Sequence, residues 1–305
     1  MRFEFTVLGS NAAVPAYGRN PSAHMLNIYE KIYLLDCGEG TQMQLNLFNF
    51  NKNKIQVIFI THLHGDHCFG LPGLLTSMSL NKRVTELVIF SPPGLQQMIA
   101  AMLHYSQTEP SFVIRYEEVD TEQHQKIYEN EQVEVFSIPL EHRISTTGYL
   151  FLEKQRKQKI RKEALEKYNL PTQILNDVKQ GANFTTENGE VIPNHLLVYE
   201  KPHRRSFAYC TDTVFLPNTL PDFLQNVDLL YHESTFLDDL SENAKITKHS
   251  TAKQAALIAA KANVKKLIIG HFSSRYQYLT PLLKEAEAVF PNTELAKEGK
   301  TWIID

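Results

Sequence analysis

The sequence predicts an α/β fold made of one large domain with an inserted arm, and three observations support this prediction. Short apolar segments rich in β-branched residues alternate with helical segments along most of the 305 residues. Several of the predicted strands end directly before a histidine or a carboxylate. A charged segment, residues 153–198, lacks the strand pattern and contains turn signals. We therefore expect a single domain over residues 1–305, with an arm inserted at about 153–198.

The predicted elements of the first half follow one another in clear alternation. Strands are predicted from their β-branched and aromatic content, and helices from their length and apolar spacing. In chain order they are a strand at Arg2–Leu8, a strand at Lys31–Asp36, a strand at Ile55–Thr61, a helix at Leu71–Leu80, a strand at Leu87–Ser91 and a helix at Leu95–Tyr105.

The second half repeats this alternation after the arm. Its predicted strands are Val133–Pro139, Ser206–Thr211, Leu229–Tyr231 and Leu267–Gly270. Ser250 is expected to cap a helix that runs to Asn263, because a serine hydroxyl can accept a bond from a free backbone N–H. Thr280 is expected to cap a second helix, with Pro281 at its first position.

Composition and charge restrict the class of protein. With 43% hydrophobic and 21% charged residues, the chain is typical of a globular protein. No apolar stretch reaches the roughly eighteen residues of a membrane span, and the first residues resemble a strand, so we expect a cytoplasmic protein without a membrane partner. The three cysteines are odd in number and far apart, which argues against disulfides. The net charge of −3 gives no general attraction to nucleic acid.

The most informative motif directly follows the strand Ile55–Thr61. It contains three histidines and one aspartate within six positions, His62, His64, Asp66 and His67. In α/β sheets, ligands bind at the carboxyl ends of the strands. Because residues two apart point to different sides of a helix, the first two histidines predict a tight loop, with Gly65 allowing the bend. Nitrogen and oxygen ligands of this kind predict a zinc site.

Residues at other strand ends complete two sets of metal ligands. We expect the first set to be His62, His64 and His142, and the second to be Asp66, His67 and His271. Asp212 is placed to bridge the two sets. Two divalent ions that share an activated water are well suited to hydrolysis of a phosphodiester.

Three residues are candidates for acid–base catalysis. Asp66 has a second carboxylate oxygen that could act as general base toward the attacking water. His249, before a predicted helix, is expected to donate a proton to the leaving oxygen. Glu233 would orient this imidazole and raise its pKa.

Five separate stretches resemble the metallo-β-lactamase superfamily and, within it, the ribonuclease Z family. They are Leu34–Gln42, Thr61–His67, Tyr231–Phe236, Lys248–Ala252 and Gly270–Tyr276. The resemblance implies an αββα sandwich and an enzyme with two Zn²⁺ ions per subunit, usually a homodimer. It also implies an endoribonuclease that removes the 3′ trailer of precursor tRNA.

The resemblance also suggests residues that bind the substrate. The family's Pro-x-Lys-x-Arg-Asn loop is similar to Pro15–Asn20, which has Tyr17 in place of the lysine but keeps Arg19 and Asn20. Arg275 lies in the last family motif. Within the expected arm, a basic run that begins with Lys154, Arg156 and Lys157 could contact phosphates, although a helix with a solvated charged face is an equally good explanation.

Two other functions remain open from the sequence. A metal core alone does not distinguish substrates, so a phosphodiesterase acting on small molecules or cyclic nucleotides is the alternative enzyme. A metal-binding RNA chaperone without turnover is a further alternative, against which Asp66, His249 and the full ligand set argue.

Overall fold

The computed structural model describes residues 2–305, so Met1, the first residue of the predicted domain, lies outside the described residues. The chain forms two compact units. The larger unit covers the residues up to Leu152 together with Arg205–Asp305, and the smaller unit is Glu153–Arg204.

The larger unit contains two seven-stranded sheets. The first sheet has the order β16-β1-β2-β3-β4-β5-β6, and the second has the order β15-β14-β13-β12-β9-β8-β7. The strands of the first sheet are β1 (Phe3–Gly9), β2 (Ala23–Ile28), β3 (Lys31–Cys37), β4 (Ile55–Phe59), β5 (Leu87–Ser91), β6 (Ile114–Glu118) and β16 (Thr301–Ile303). Those of the second are β7 (Lys126–Glu129), β8 (Val133–Pro139), β9 (Thr147–Glu153), β12 (Ser206–Cys210), β13 (Leu229–Glu233), β14 (Lys266–Gly270) and β15 (Thr293–Leu295).

Parallel strands in both sheets bring their carboxyl ends to one edge. Strands β3 to β6 are parallel in the first sheet, and β12 to β15 are parallel in the second. Such strands are buried on both faces and are therefore almost continuously apolar, as in β14, where Leu267, Ile268 and Ile269 are all fully buried.

Helices cover the outer faces of the two sheets, which confirms the expected αββα architecture. Ile58 of β4 packs against the helices that cover the first sheet, whereas the neighbouring Val57 and Phe59 face the second sheet. The helices of the larger unit are α1 (Thr41–Leu47), α2 (Gly65–Cys68), α3 (Leu71–Leu80), α4 (Leu95–Tyr105), α8 (Leu220–Phe223), α9 (Ser241–Thr247), α10 (Ala252–Lys261) and α11 (Thr280–Glu287).

The core between the sheets is rich in aromatic side chains. Phe59 of the first sheet stacks on Phe90 at a centroid distance of 5.1 Å. It also contacts Tyr149 and Phe151 of the second sheet at 5.1 and 5.2 Å. Edge-to-face and stacked pairs of this kind add to the stabilisation from buried apolar area.

The smaller unit has its own small core. It consists of α5 (Lys162–Tyr168), α6 (Leu175–Gln180), α7 (Asn194–Leu197) and a two-stranded sheet of β10 (Phe184–Thr185) and β11 (Val191–Ile192). Buried Ala164, Val178, Ile192 and Leu197 pack together at its centre.

Two predicted helix caps are wrong by one residue. Thr251, not Ser250, caps α10, since its hydroxyl accepts a bond from Gln254 N–H while the Gln254 side chain returns to the Thr251 N–H. Ser250 instead donates to the Thr213 carbonyl. The cap of α11 is Leu279, so Thr280 is the first residue of that helix.

Strand β2, which pairs with both β1 and β3, was not predicted from the sequence. It includes His24 and Asn27, which interrupt the apolar pattern. Within residues 2–305, every helix is too short or too polar to cross a membrane.

Replacing Phe59 by alanine should lower the free energy of unfolding by about 3–5 kcal/mol, because the cavity would lie between both sheets. Denaturant titration followed by tyrosine and tryptophan fluorescence measures the loss. Exposed Val84→Ala is the matched control and should change stability by less than about 0.5 kcal/mol. Equal effects of the two changes would contradict this description of the core.

Candidate metal centre

Backbone turns at strand ends direct the key side chains into one site. Asp36 is the penultimate residue of β3, whereas Asp212 and His271 follow β12 and β14. Their φ angles are +54°, +51° and +57°. Left-handed conformations are uncommon outside glycine, but Asp and His adopt them more readily than most residues. At Asp212 and His271, the sequence therefore combines a suitable ligand type with a tolerated left-handed conformation.

The first predicted set, His62, His64 and His142, comes together in the structure. The three ligand atoms lie within 4.8 Å of one another, and the two nearest, His62 Nε2 and His64 Nδ1, are 3.0 Å apart. His142 is held from behind, because its Nδ1 lies 2.8 Å from the Lys248 carbonyl oxygen. This contact assigns the proton to Nδ1 and leaves Nε2 with a free lone pair.

The second predicted set, Asp66, His67 and His271, also comes together. His67 Nε2 lies 3.4 Å from both Asp66 Oδ2 and His271 Nε2. The backbone N–H of Ala13 donates to Asp66 Oδ2 at 2.8 Å.

Asp212 faces both sets, one oxygen toward each. Its Oδ1 lies 3.8 Å from His62 Nε2 and 3.7 Å from His142 Nε2. Its Oδ2 lies 3.2 Å from both His67 Nε2 and His271 Nε2. The carboxylate therefore has the position of a bridge between two sites.

These distances fit a bound cation. Ligands at 2.0–2.1 Å from a tetrahedral zinc ion are about 3.3 Å from one another, and the pairs described above range from 3.0 to 3.8 Å. The site also has a strong demand for positive charge. Burial alone would lower the pKa of His67. The nearby carboxylates of Asp212, Asp66 and Asp36 have a larger effect in the opposite direction and raise this pKa well above its ordinary value.

Asp36 supports the site from below without being part of either set. Its Oδ2 lies 2.8 Å from His67 Nδ1 and accepts a hydrogen bond from Tyr209 at 2.7 Å. Its Oδ1 accepts from the Thr61 backbone N–H at 2.8 Å. The carboxylate thus fixes the ring of His67 and the start of the ligand loop, as outer residues of metal sites commonly do.

Glu233 is connected to both His249 and His271. Its Oε1 lies 3.0 Å from His249 Nδ1, and its Oε2 accepts a 2.5 Å hydrogen bond from the Thr235 hydroxyl. Since that hydroxyl donates to the carboxylate, it accepts from His271 Nδ1 at 3.0 Å. Thr235 therefore sets the tautomer of His271, with the Nε2 lone pair toward the metal site.

The charge state of His249 follows from its surroundings. Burial lowers the pKa of His249, but the Glu233 carboxylate more than compensates, and the pKa is raised to about 9. The imidazole is therefore protonated at neutral pH. Its Nδ1 is held by Glu233, which leaves Nε2 to face other groups.

A cavity of about 330 Å³ gives access to these residues. Asp66, Asp212 and His249 contribute to its lining, together with Arg275, whose guanidinium lies over the ring of Phe236. Arg143 also lines this cavity.

The structure does not bring all predicted substrate-binding residues to this cavity. Arg19 donates to Asn11 Oδ1 and to the Tyr276 carbonyl oxygen, at 2.9 and 2.7 Å. Asn20 is bonded to the carboxylate of Glu298. Both side chains therefore hold the Pro15–Asn20 loop in place, and only Arg275 of this group lines the cavity.

The basic run belongs to the smaller unit, where two of its members bond within that unit. Arg156 Nε lies 3.4 Å from Glu153, and Lys157 donates to Asn176 at 2.8 Å.

The sequence interpretation of Gly65 needs correction. The φ angle of Gly65 lies outside the left-handed region, and this residue begins α2. A Cβ at this position would lie 2.5 Å from the ring of Phe69, so a larger residue would force this half-exposed ring to move. Cys68 donates to the His64 carbonyl oxygen and remains outside both ligand sets.

Three contributions to the site were missed by the sequence analysis. They are the backbone N–H of Ala13, the hydroxyl of Thr235 and the guanidinium of Arg143. Arg143 could have been noticed, because it directly follows the predicted ligand His142. The other two depend on tertiary contacts that sequence spacing does not show.

Comparisons with known proteins agree with this geometry. Residues 3–159, just over half of the chain, match the family model described as Anti-Pycsar protein Apyc1. A ribonuclease Z of Parabacteroides distasonis is 42% identical over 297 residues, which is 97% of each chain.

Two solved structures share the fold over nearly the whole chain. The short form of human tRNase Z superposes with a TM-score of 0.71 and 28% identity, covering 99% of each chain. The metallo-β-lactamase fold protein YhfI from Bacillus subtilis has a TM-score of 0.68 at 17% identity, covering 99% of this chain and all of that one.

Replacing Thr235 by valine should weaken zinc binding by about 10- to 100-fold, because His271 would lose the acceptor that fixes its tautomer. Competition against a chromophoric chelator measures this affinity directly. Thr235→Ser keeps the hydroxyl and should bind zinc nearly as the unchanged chain does. A Thr235→Val affinity equal to that of Thr235→Ser would contradict the role of the hydroxyl.

Proposed function

We propose that this chain, a member of the ribonuclease Z family, is a zinc-dependent endoribonuclease that removes the 3′ trailer of precursor tRNA. The chain has the metallo-β-lactamase fold, and its residues 3–159 match the Apyc1 family model. The position of Asp212 between two three-residue ligand sets supports metal-dependent hydrolysis of a phosphodiester, and the likeness to ribonuclease Z relatives supports precursor tRNA as the substrate. Relatives named ribonuclease Z match along 97% of the chain, so the likeness is not limited to the metal core.

Two zinc ions are proposed as the cofactor. His62, His64 and His142 would hold one ion, Asp66, His67 and His271 the other, and Asp212 would contact both. When bound, two such ions lower the pKa of water and offset the negative charge of a phosphodiester. The all-nitrogen and oxygen donor set of these residues suits zinc.

Asp66 is proposed as the general base. Its Oδ2 is occupied by the Ala13 N–H and faces His67 and His271. Its Oδ1 is not bonded to any residue between Arg2 and Asp305, so it can accept a proton from the attacking water.

His249 is proposed as the general acid. Glu233 holds Nδ1 at 3.0 Å and raises the pKa of the ring to about 9, so the ring carries a proton to donate at neutral pH. Donation from Nε2 to the leaving oxygen would complete cleavage, and Glu233 would stabilise the ring's position throughout. His249 and Asp66 line the same cavity, and the scissile phosphate would bind in this cavity.

Substrate contacts are proposed for Arg275, at the cavity, and for the basic run of Lys154, Arg156 and Lys157. Arg275 is exposed, and its guanidinium lies over the ring of Phe236, 5.6 Å from the ring centroid. Arg19 and Asn20 would act indirectly by holding their loop. RNA binding through phosphates would make the affinity fall with salt.

A homodimer located in the cytoplasm is also proposed. Large apolar side chains are exposed on α1, α3 and α4, among them Met43, Leu80 and Tyr105. These helices cover one face of the first sheet, and a second copy of the chain would shield them. The three cysteines are free and buried, as is usual in a reducing compartment.

An assay on precursor tRNA with a short trailer tests the proposed function. The purified chain should release the trailer and contain two zinc ions per subunit by elemental analysis. Asp66→Asn should lower the cleavage rate by about 100-fold or more. Hydrolysis of bis(p-nitrophenyl) phosphate without cleavage of the RNA would favour the alternative, a phosphodiesterase for small substrates.

His249→Ala should slow cleavage of precursor tRNA by about 100- to 10,000-fold, because the leaving ribose oxygen needs a proton. The same variant should lose much less activity on bis(p-nitrophenyl) phosphate, whose nitrophenolate leaves without protonation. Initial rates on both substrates give the comparison, with equal zinc content as the control. Equal losses on the two substrates would argue against His249 as the acid.

A further inference from the structure

A second cavity lies beside the metal centre in the larger unit. Its volume is about 950 Å³, within the range of ligand-binding sites. His142 and Arg143 line both this cavity and the one above the metal centre. The two cavities are therefore adjacent at these residues, which places the second cavity within reach of a strand bound at the metal centre.

Arg143 is a free cation at this junction. It is exposed, and its guanidinium makes no hydrogen bond or ion pair with any residue from Arg2 to Asp305. By contrast, the nearby Lys248 is paired with Glu141 at 3.0 Å. An unpaired guanidinium can form two parallel hydrogen bonds to a phosphate, which is the group an RNA strand would present here.

Part of the lining of the second cavity is apolar and suits a flat group such as a nucleobase. Its apolar surface comes from Leu140, Ile144, Leu216 and Phe223. The ring of Phe223 is stacked on one side by His124, at a centroid distance of 4.7 Å, which holds it in place. Apolar and aromatic surfaces of this kind bind the faces of nucleobases.

The second cavity also has polar residues in its lining. Ser145 and Thr219 line it with exposed hydroxyls, which can bond to base edges. Glu122 also lines it, and its negative charge disfavours a phosphate inside, whereas the charge of Glu141 is balanced by Lys248. The phosphate is therefore expected at Arg143 and the base beyond it.

We propose that this cavity is a subsite for a nucleobase next to the scissile phosphodiester, and that Arg143 binds the phosphate linking that nucleotide to the strand. The proposal rests on the proposed function, because it names how that substrate is held. It adds a base-binding site and a phosphate contact beside the metal ligands, of which His142 also lines the second cavity.

The test compares Ile144→Glu with Ile303→Glu, a matched change at an exposed position outside the cavities described. Each chain is assayed on precursor tRNA, on the same RNA with one abasic nucleotide on either side of the scissile bond, and on bis(p-nitrophenyl) phosphate. In the unchanged chain, one of the two abasic RNAs should lose about tenfold in kcat/KM. Ile144→Glu should show a similar loss on intact RNA and no further loss on that abasic RNA.

Arg143→Ala should lower kcat/KM on RNA by about 10- to 100-fold relative to the small diester, and Arg143→Lys should recover part of this. Ile303→Glu should match the unchanged chain on every substrate. The subsite is overturned if the abasic penalty is the same in Ile144→Glu as in the unchanged chain, or if each variant loses RNA and diester activity equally. If the unchanged chain cleaves the diester but no RNA, the proposed function itself fails.

Discussion

The buried carboxylate of Asp36 is the interaction on which the site depends. It accepts hydrogen bonds from the Thr61 backbone, which begins the ligand loop, and from Tyr209 in the other sheet, and it lies 2.8 Å from His67 Nδ1. A fully buried carboxylate is stable only when its oxygens are bonded in this way. Because these partners come from both sheets, the same bonds that satisfy the charge also bring the two halves of the ligand set together.

The fold and the metal centre were predictable where side-chain chemistry and strand position agree. His62, His64, Asp66 and His67 follow a strongly apolar strand, so their type and their location at a sheet edge could both be read from the sequence. His142, Asp212 and His271 are isolated in sequence, and only their common position after predicted strands linked them. The αββα architecture and the family resemblance are confirmed by the structure and the comparisons. The role of each side chain in catalysis stays a prediction.

The features that were missed depend on contacts between distant segments. Strand β2 contains His24 and Asn27, and tertiary pairing on both sides outweighs their weak strand pattern. Thr251 replaces Ser250 as the cap of α10 because Gln254 returns a reciprocal bond. Arg19 and Asn20 occur in a motif associated with substrate, yet their side chains bond to Tyr276 and Glu298. A motif identifies residues that matter but does not distinguish contact with substrate from support of a loop.

The left-handed backbone at Asp36, Asp212 and His271 restricts which residues evolution can exchange there. Replacing an aspartate ligand by glutamate moves the carboxylate by one methylene, so the chain must shift to keep its oxygens in place. At Asp212, such a replacement would have to satisfy a backbone geometry that few residues with side chains tolerate, as well as the distance between the two ligand sets. Conservation of Asp212 would therefore reflect two requirements, the left-handed backbone conformation and the distance between the two ligand sets. Divergent relatives that change the ligand are expected to change the loop that carries it as well.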